Sequence, residues 1–469
     1  MKSFKILLLL QTFDKEEIKL LEEFLQSPVV NPHKDVWKLY CLLKPVLQKN
    51  EVEIDKQDLC RRLFAGEVAD LDKLYHVNSY LLKTTELFLI WQEQQQRLFS
   101  NGLHLAQAYE KKGLPEAASS RLDKLRQQHN KQPLRHSGYY FDEYRLQQEV
   151  FSRSRKEGRT RPFNFDELSD ALDTAYLGEK LKNACIMLSH QALVNTQYSL
   201  GLLGVILSHA ELERLLAVPA VAVYYHAYQA LAIPEADEHF LKVKQLLGEH
   251  STRFPSAELR DIYLLAINFC IRRINNGQSA YVAEVFELYQ TGLENGAFLE
   301  DGLLSRWTYN NIVIAGLKLK QYDWIYRFIY QYKDMLPHNH REGSLNFNLA
   351  KYYYETGDYT RAMPLLSQME YDDVLHNLGA KVLLAKMYFE LEEWEALDNL
   401  LSSTVIYIRR KKVLGYHREN YLHIAQLMDK MTKINWYDAR EAGLFRQKVL
   451  DTPVLTERQW FLEQIGKRL

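Results

Sequence analysis

A chain of 469 residues with 59 Lys and Arg against 60 Asp and Glu carries a formal net charge of −1, which excludes attraction to nucleic acid or an anionic membrane by bulk charge. Its 47% hydrophobic content is ample for a core, and only 12 Pro and 20 Gly, mostly at the ends of apolar-periodic stretches, favour helices throughout. Four Cys without a CxxC pair (Cys41, Cys60, Cys185, Cys270) suit a reducing, cytoplasmic compartment and read as small core residues.

At the amino terminus, the apolar run Ile6–Leu10 is shorter than a signal peptide needs and lacks a small-residue cleavage site, so a buried first helix is expected. No run of about 18 apolar residues predicts a membrane span. Residues 1–99 read as a separate helical cap domain. Asp14 and Glu17 form a capping box ahead of the stripe Ile18, Leu21, Phe24, Leu25, and Ser27-Pro28 and Asn31-Pro32 break that helix. Helices follow near Asp35–Leu47 and Asp55–Phe64, with Gly66 as a stop. A long arm then covers Asp70–Phe99, bearing Leu71, Leu74, Leu81, Phe88 and Trp91.

From residue 100 to 469 the pattern becomes a repeat array. Leu105, Ala106, Tyr109, Gly113 and Ala118 open it. The basic stretch 152–164 has no apolar period and is expected to be an exposed loop, after which Asn164 and Glu167 restart a helix. Helical patterns continue over Leu168–Ser189, Gln191–Leu216, Pro219–Leu231, Glu235–His250, Ser256–Asn275 and Ser279–Leu293. Beyond the central trio come Tyr416–Lys433, Trp436–Leu450 and a last helix capped by Thr456 and Gln459, whose Trp460, Phe461 and Ile465 would close the final core face. No convincing strand pattern is present.

The clearest unit is Leu345–Leu366. Leu349, Ala350 and Tyr353 share one helix face, Gly357 can take the left-handed conformation that ends it, Asp358 can cap the next helix, and Tyr359 and Ala362 face back. These positions resemble the tetratricopeptide repeat. Leu384, Ala385, Tyr388 and Trp394 echo Leu349, Ala350, Tyr353 and Tyr359 at a spacing of 35 residues, with Leu397 in place of the close-approach Ala. Upstream, Tyr309, Ile312, Val313, Tyr322 and Pro337 fit, whereas Gly316 and Ile325 depart from the pattern. The second half, including YHRENY at 416–421, is also similar to a group of uncharacterised bacterial proteins of this layout. The expected fold is therefore an all-α solenoid of stacked antiparallel helix pairs with an N-terminal helical cap.

The chain lacks a phosphate loop, a GxSxG elbow, an HExxH and any nucleophile–base–orienter set, so no enzyme activity, cofactor or metal is expected. His338 and His340 have no further ligands in register to complete a metal site. What remains is binding. The resemblance implies a concave face lined by first helices that accepts a peptide or helix of another protein, with Asn310, Phe347, Lys351, Tyr354, Lys386 and Phe389 facing it. The alternative is an RNA-binding array that uses Arg153, Arg155, Lys156, Arg159 and Arg161 together with Arg409, Arg410, Lys411 and Lys412 as phosphate contacts.

Overall fold

The computed structural model describes residues 5–48, 55–64, 70–157, 162–194, 196–208, 212–233, 237–367, 374–410 and 415–469. The chain is 81% helical, with 24 α-helices among the described residues and consecutive helices packed side by side as in an all-α solenoid. It divides into two compact units, one of residues 1–132 and 141–171, the other of residues 133–140 and 172–469. The boundary expected near residue 99 falls inside the first unit. There Phe99 packs on the buried cluster of Leu103, Ala106, Leu122, Leu125 and Leu146.

In the first unit the helices Lys5–Leu10, Lys15–Gln26, Lys34–Gln48 and Lys56–Leu63 surround the long helix Leu71–Gln96. Ile6, Leu21, Leu39, Leu74, Leu81 and Phe88 form its core. Asp14 and Glu17 make the reciprocal capping box, and Asp70 caps the long helix. That helix stops at Arg97, and a new helix, Leu98–Lys111, pairs with Pro115–Lys131. The stretch expected to be a loop from residue 152 is instead helical to Glu157, because Ser137–Glu157 runs on while Lys156 pairs with Glu110. Residues 158–161 lie outside the described set, as does Gly66. Asn164 Nδ2 donates to the Gln147 carbonyl and side chain.

The second unit stacks helix pairs: Pro219–Ala232 with Asp237–His250, Ser256–Asn275 with Tyr281–Glu294, Arg306–Lys318 with Tyr322–Tyr332, Arg341–Glu355 with Tyr359–Ser367, and Val374–Glu390 with Trp394–Arg410. From Arg306–Lys318 to Val374–Glu390 first helices also touch first helices, so one wall is built from them. The turn inside four of these pairs uses one backbone device. Gly277 (φ 89°), Gly357 (φ 78°), Lys320 (φ 55°) and Glu392 (φ 61°) are left-handed, and the amides of Gly277 and Gln278 return to Ile274 and Arg273. The amides of Gly357 and Asp358 return to Tyr354 and Tyr353 at 3.0 and 2.8 Å. Those of Lys320 and Gln321 return to Leu317 and Gly316, and those of Glu392 and Glu393 to Phe389 and Tyr388. Gly113 does the same in the first unit.

Further expectations need correction. The helix expected over Gln191–Leu216 is interrupted: Phe165–Val194 ends, Gly201 turns at φ 60°, and only the short helices Leu203–Leu207 and Leu212–Leu216 follow. A strand pair that the sequence reading missed joins Leu299–Glu300 to Leu303–Leu304 through Asp301 and Gly302, both at positive φ, as a two-residue hairpin requires. At the carboxyl end, Ala439–Asp451 packs on Arg458–Gly466. Trp460, Phe461 and Ile465 are buried there. Thr456 does not cap that last helix; its amide bonds Asn420 Oδ1 instead, and the helix begins beyond Glu457. Of the cysteines, Cys60, Cys185 and Cys270 are buried while Cys41 is exposed. No described helix is long and apolar enough to cross a membrane.

Candidate functional site: a cavity on the first-helix wall

Neighbouring first helices pack side by side, so together they build a wall. Arg306–Lys318 contributes Trp307 and Asn310, Arg341–Glu355 contributes Phe347, Lys351 and Tyr354, and Val374–Glu390 contributes His376, Gly379 and Lys386. They surround a cavity of about 720 Å³ that Glu457, Trp460 and Glu463 bound from the carboxyl-terminal segment. Five of the six groove residues expected from sequence, Asn310, Phe347, Lys351, Tyr354 and Lys386, thus line one cavity. Phe389 does not: it is 1% exposed, with its ring against Trp394 and Trp460. It follows Lys386 by three residues, but Trp460 and the other rings of the last helices draw its side chain into their buried cluster.

The charges in this wall are placed unequally. Lys386 Nζ lies 3.0 Å from Glu457 Oε2 and 4.8 Å from the centroid of the Tyr354 ring. Lys351 Nζ donates to the neutral Asn310 Oδ1 at 2.5 Å and sits 4.2 Å from the Phe347 ring centroid. Burial pushes the Lys351 ammonium down to about 7, the Glu457 carboxylate partly opposing this and Lys386 adding to it. Burial also raises the Glu355 carboxyl, against the pull of Lys386. The lowered Lys351 value follows from geometry: a cation enclosed by protein whose bonded partner carries no charge favours its neutral form.

Glu390 braces the wall from behind. Its carboxylate accepts from Tyr354 Oη at 2.7 Å, Trp460 Nε1 at 2.6 Å and Gln464 Nε2 at 3.1 Å, and also from Tyr359 Oη. Burial and this carboxylate both push the Tyr354 phenol up, so Tyr354 stays a neutral donor. The brace ties a first helix, a second helix and the last helix to one group. Trp307 is 45% exposed, and its ring centroid stands 5.3 Å from that of His376. His376 in turn lies 5.3 Å from Phe347.

Sequence reading missed Trp307, His376, Glu390 and Glu457. Trp307 and His376 hold inward first-helix positions and were findable from the repeat register. Glu457 lies 71 residues from Lys386, and no local spacing signals that pairing.

The basic segments are placed differently. In the first unit, Arg153 donates to the Pro115 carbonyl, Lys156 pairs with Glu110 at 3.0 Å, and Arg155 is exposed. In the second, Arg409 and Arg410 are exposed in the last turn of Trp394–Arg410, where the helix dipole favours cations. Arg159, Arg161, Lys411 and Lys412 lie outside the described residues. His338 and His340 fall in a short 3₁₀ turn, and no group of three potential metal ligands forms among the described residues.

Comparison with protein-family models, curated proteins and solved structures returns no match. The functional reading therefore rests on this geometry.

Proposed function

We propose that the chain is a non-enzymatic protein-interaction scaffold of the tetratricopeptide-like kind, working in the cytoplasm, that receives a peptide or helix of another protein on its first-helix wall. One observation carries this reading: three successive first helices converge five polar and aromatic side chains on a single cavity. Lys and Asn there can bond a partner's backbone or carboxylate, and the rings supply rigid contact area. The wall is stiff, because Glu390 and the Lys386–Glu457 pair fix its members, so little ordering is needed on binding.

The test is affinity capture with the purified chain, using Trp307→Ala/Lys318→Glu as the groove variant and Tyr437→Ala as the control. Trp307, Lys318 and Tyr437 are all exposed, so the helical content of each variant should be unchanged. The groove variant is expected to lose the partner that the wild type and the control retain. Equal recovery by all three contradicts the assignment.

A further inference from the structure

We infer that the cavity takes an aromatic ring carrying a carboxylate, presented either as a free aromatic acid or as the final residue of a peptide. This deepens the reading of the first-helix wall as the binding surface and rests on it. Three independent features lead to it.

The first is closure. Thr456, Glu457, Gln459, Trp460 and Glu463 stand in the cavity wall while Phe461 and Ile465 beside them are buried in the core. That segment is part of the fold, so an entrant ends against it. A volume of about 720 Å³ falls within the usual range for small-ligand sites of roughly 300–1,000 Å³. A chain end or a small molecule fits this shape better than a continuous helix.

The second is the exposed ring of Trp307, backed by the buried rings of His376 and Phe347 with successive centroids 5.3 Å apart. Gly379 lets the Phe347 ring pack close against its helix, since a Cβ there would lie 3.1 Å from Phe347 Cζ. A planar ring can lie against Trp307 with offset or edge contacts.

The third is the division of charge. Glu457 bonds Lys386, whereas Lys351 bonds neutral Asn310. An enclosed ammonium with a neutral partner gains most from an entering anion, because the carboxylate supplies the missing counter-charge. Other charged groups face the same space: Lys318 and Lys320 from the preceding pair, Glu355 on the same helix, and Glu463 opposite. His376, His417 and the phenols of Tyr322, Tyr354 and Tyr421 complete the titratable set. Because the Lys351 ammonium is held down to about 7, an entering anion must draw a proton onto it at pH 8.

Isothermal titration of the full chain at pH 8 tests this with 2-naphthoate, its neutral analogue 2-naphthamide, and acetate. A second arm uses Gly-Gly-Gly-Phe as the free acid and as the amide. Expected is at least tenfold tighter binding of the ring acids than of the amides or acetate. Proton uptake should appear as a dependence of the heat on buffer ionisation. Lys351→Met should abolish both, and Trp307→Ala should weaken the ring-bearing ligands while leaving acetate unchanged. The tighter of naphthoate and peptide acid identifies the source. Equal affinity for acid and amide, or ring-acid binding unchanged by Lys351→Met, overturns the inference. If no ring acid binds while Trp307→Ala/Lys318→Glu still loses the captured protein, the inference falls and the scaffold reading stands; if capture is also unaffected, both fall.

Discussion

Gly316 and Ile325 exchange the sizes that Tyr353 and Ala362 hold one unit later. A Cβ on Gly316 would lie 2.6 Å from Ile325 Cγ1 and 2.8 Å from Phe286 Cε2, so the large side chain of the second helix fills the place that a ring on the first helix fills in the next pair. Ile325 and Ala362 are both fully buried. What looks in sequence like two departures from the repeat is one compensated packing solution.

This predicts the sign of Gly316→Ala. Helix propensity alone would give a gain of about 1 kcal/mol. Overpacking against Ile325 and Phe286 gives a loss of about 1–3 kcal/mol, which should win. Urea unfolding measures it, and adding Ile325→Val should recover part of the loss. A stabilised Gly316→Ala would refute the packing account.

The left-handed turns supply a second prediction. Gly357 occupies a conformation that suits it, whereas Glu392 at φ 61° and Lys320 at φ 55° hold the same one with a Cβ. Left-handed strain of about 1–2 kcal/mol exceeds the roughly 0.5–1 kcal/mol entropic cost of glycine. Glu392→Gly should therefore stabilise by about 0.5–1 kcal/mol, and Gly357→Ala should destabilise by about 1 kcal/mol, both read from chemical unfolding.

Much of this was legible in the chain. The Gly357–Asp358 turn, the Asp14–Glu17 cap and the bounds of Ser256–Asn275 follow from local patterns. What was not legible has a common cause, dependence on a partner distant in sequence. Nothing near Phe389 shows that Trp460 covers it, and nothing near Gly316 names Ile325 as its complement. The hairpin at Asp301-Gly302 was missed for another reason: two-residue strands are too short to show alternation, although the Asp-Gly pair itself was a turn signal. The basic stretch at 152–157 was misjudged because its polarity masked a helix already running from Ser137.

Lys351 yields a pH prediction. Its folded-state value of about 7 lies below the ordinary lysine value, so between about pH 7 and 10 the unfolded chain binds one more proton than the folded chain. The penalty from this side chain is full below pH 7 and disappears as pH rises towards the unfolded value. Lys351→Met should thus be more stable than wild type at pH 7. That advantage should shrink with rising pH by on the order of 1 kcal/mol per unit. Unfolding midpoints at pH 7, 8 and 9 decide it; a constant difference contradicts the buried-amine assignment.

Glu390 should be the weak point of the carboxyl-terminal closure. Glu390→Ala strands the buried donors of Tyr354 and Trp460, at a cost of about 2–4 kcal/mol. Hydrogen exchange should rise chiefly over Arg458–Gly466. Uniform protection in that helix would show that the brace is dispensable.

The central claim is that another protein is received at the first-helix wall, and site-specific photocrosslinking tests it most directly. A benzophenone amino acid replaces Trp307 in one chain and the fully exposed Tyr437 in another, and both are irradiated in cells. The account predicts a discrete protein adduct from position 307, lost when Lys351→Met is added, and none from position 437. Adducts at 437 but not 307, or adducts at 307 indifferent to Lys351, would contradict it.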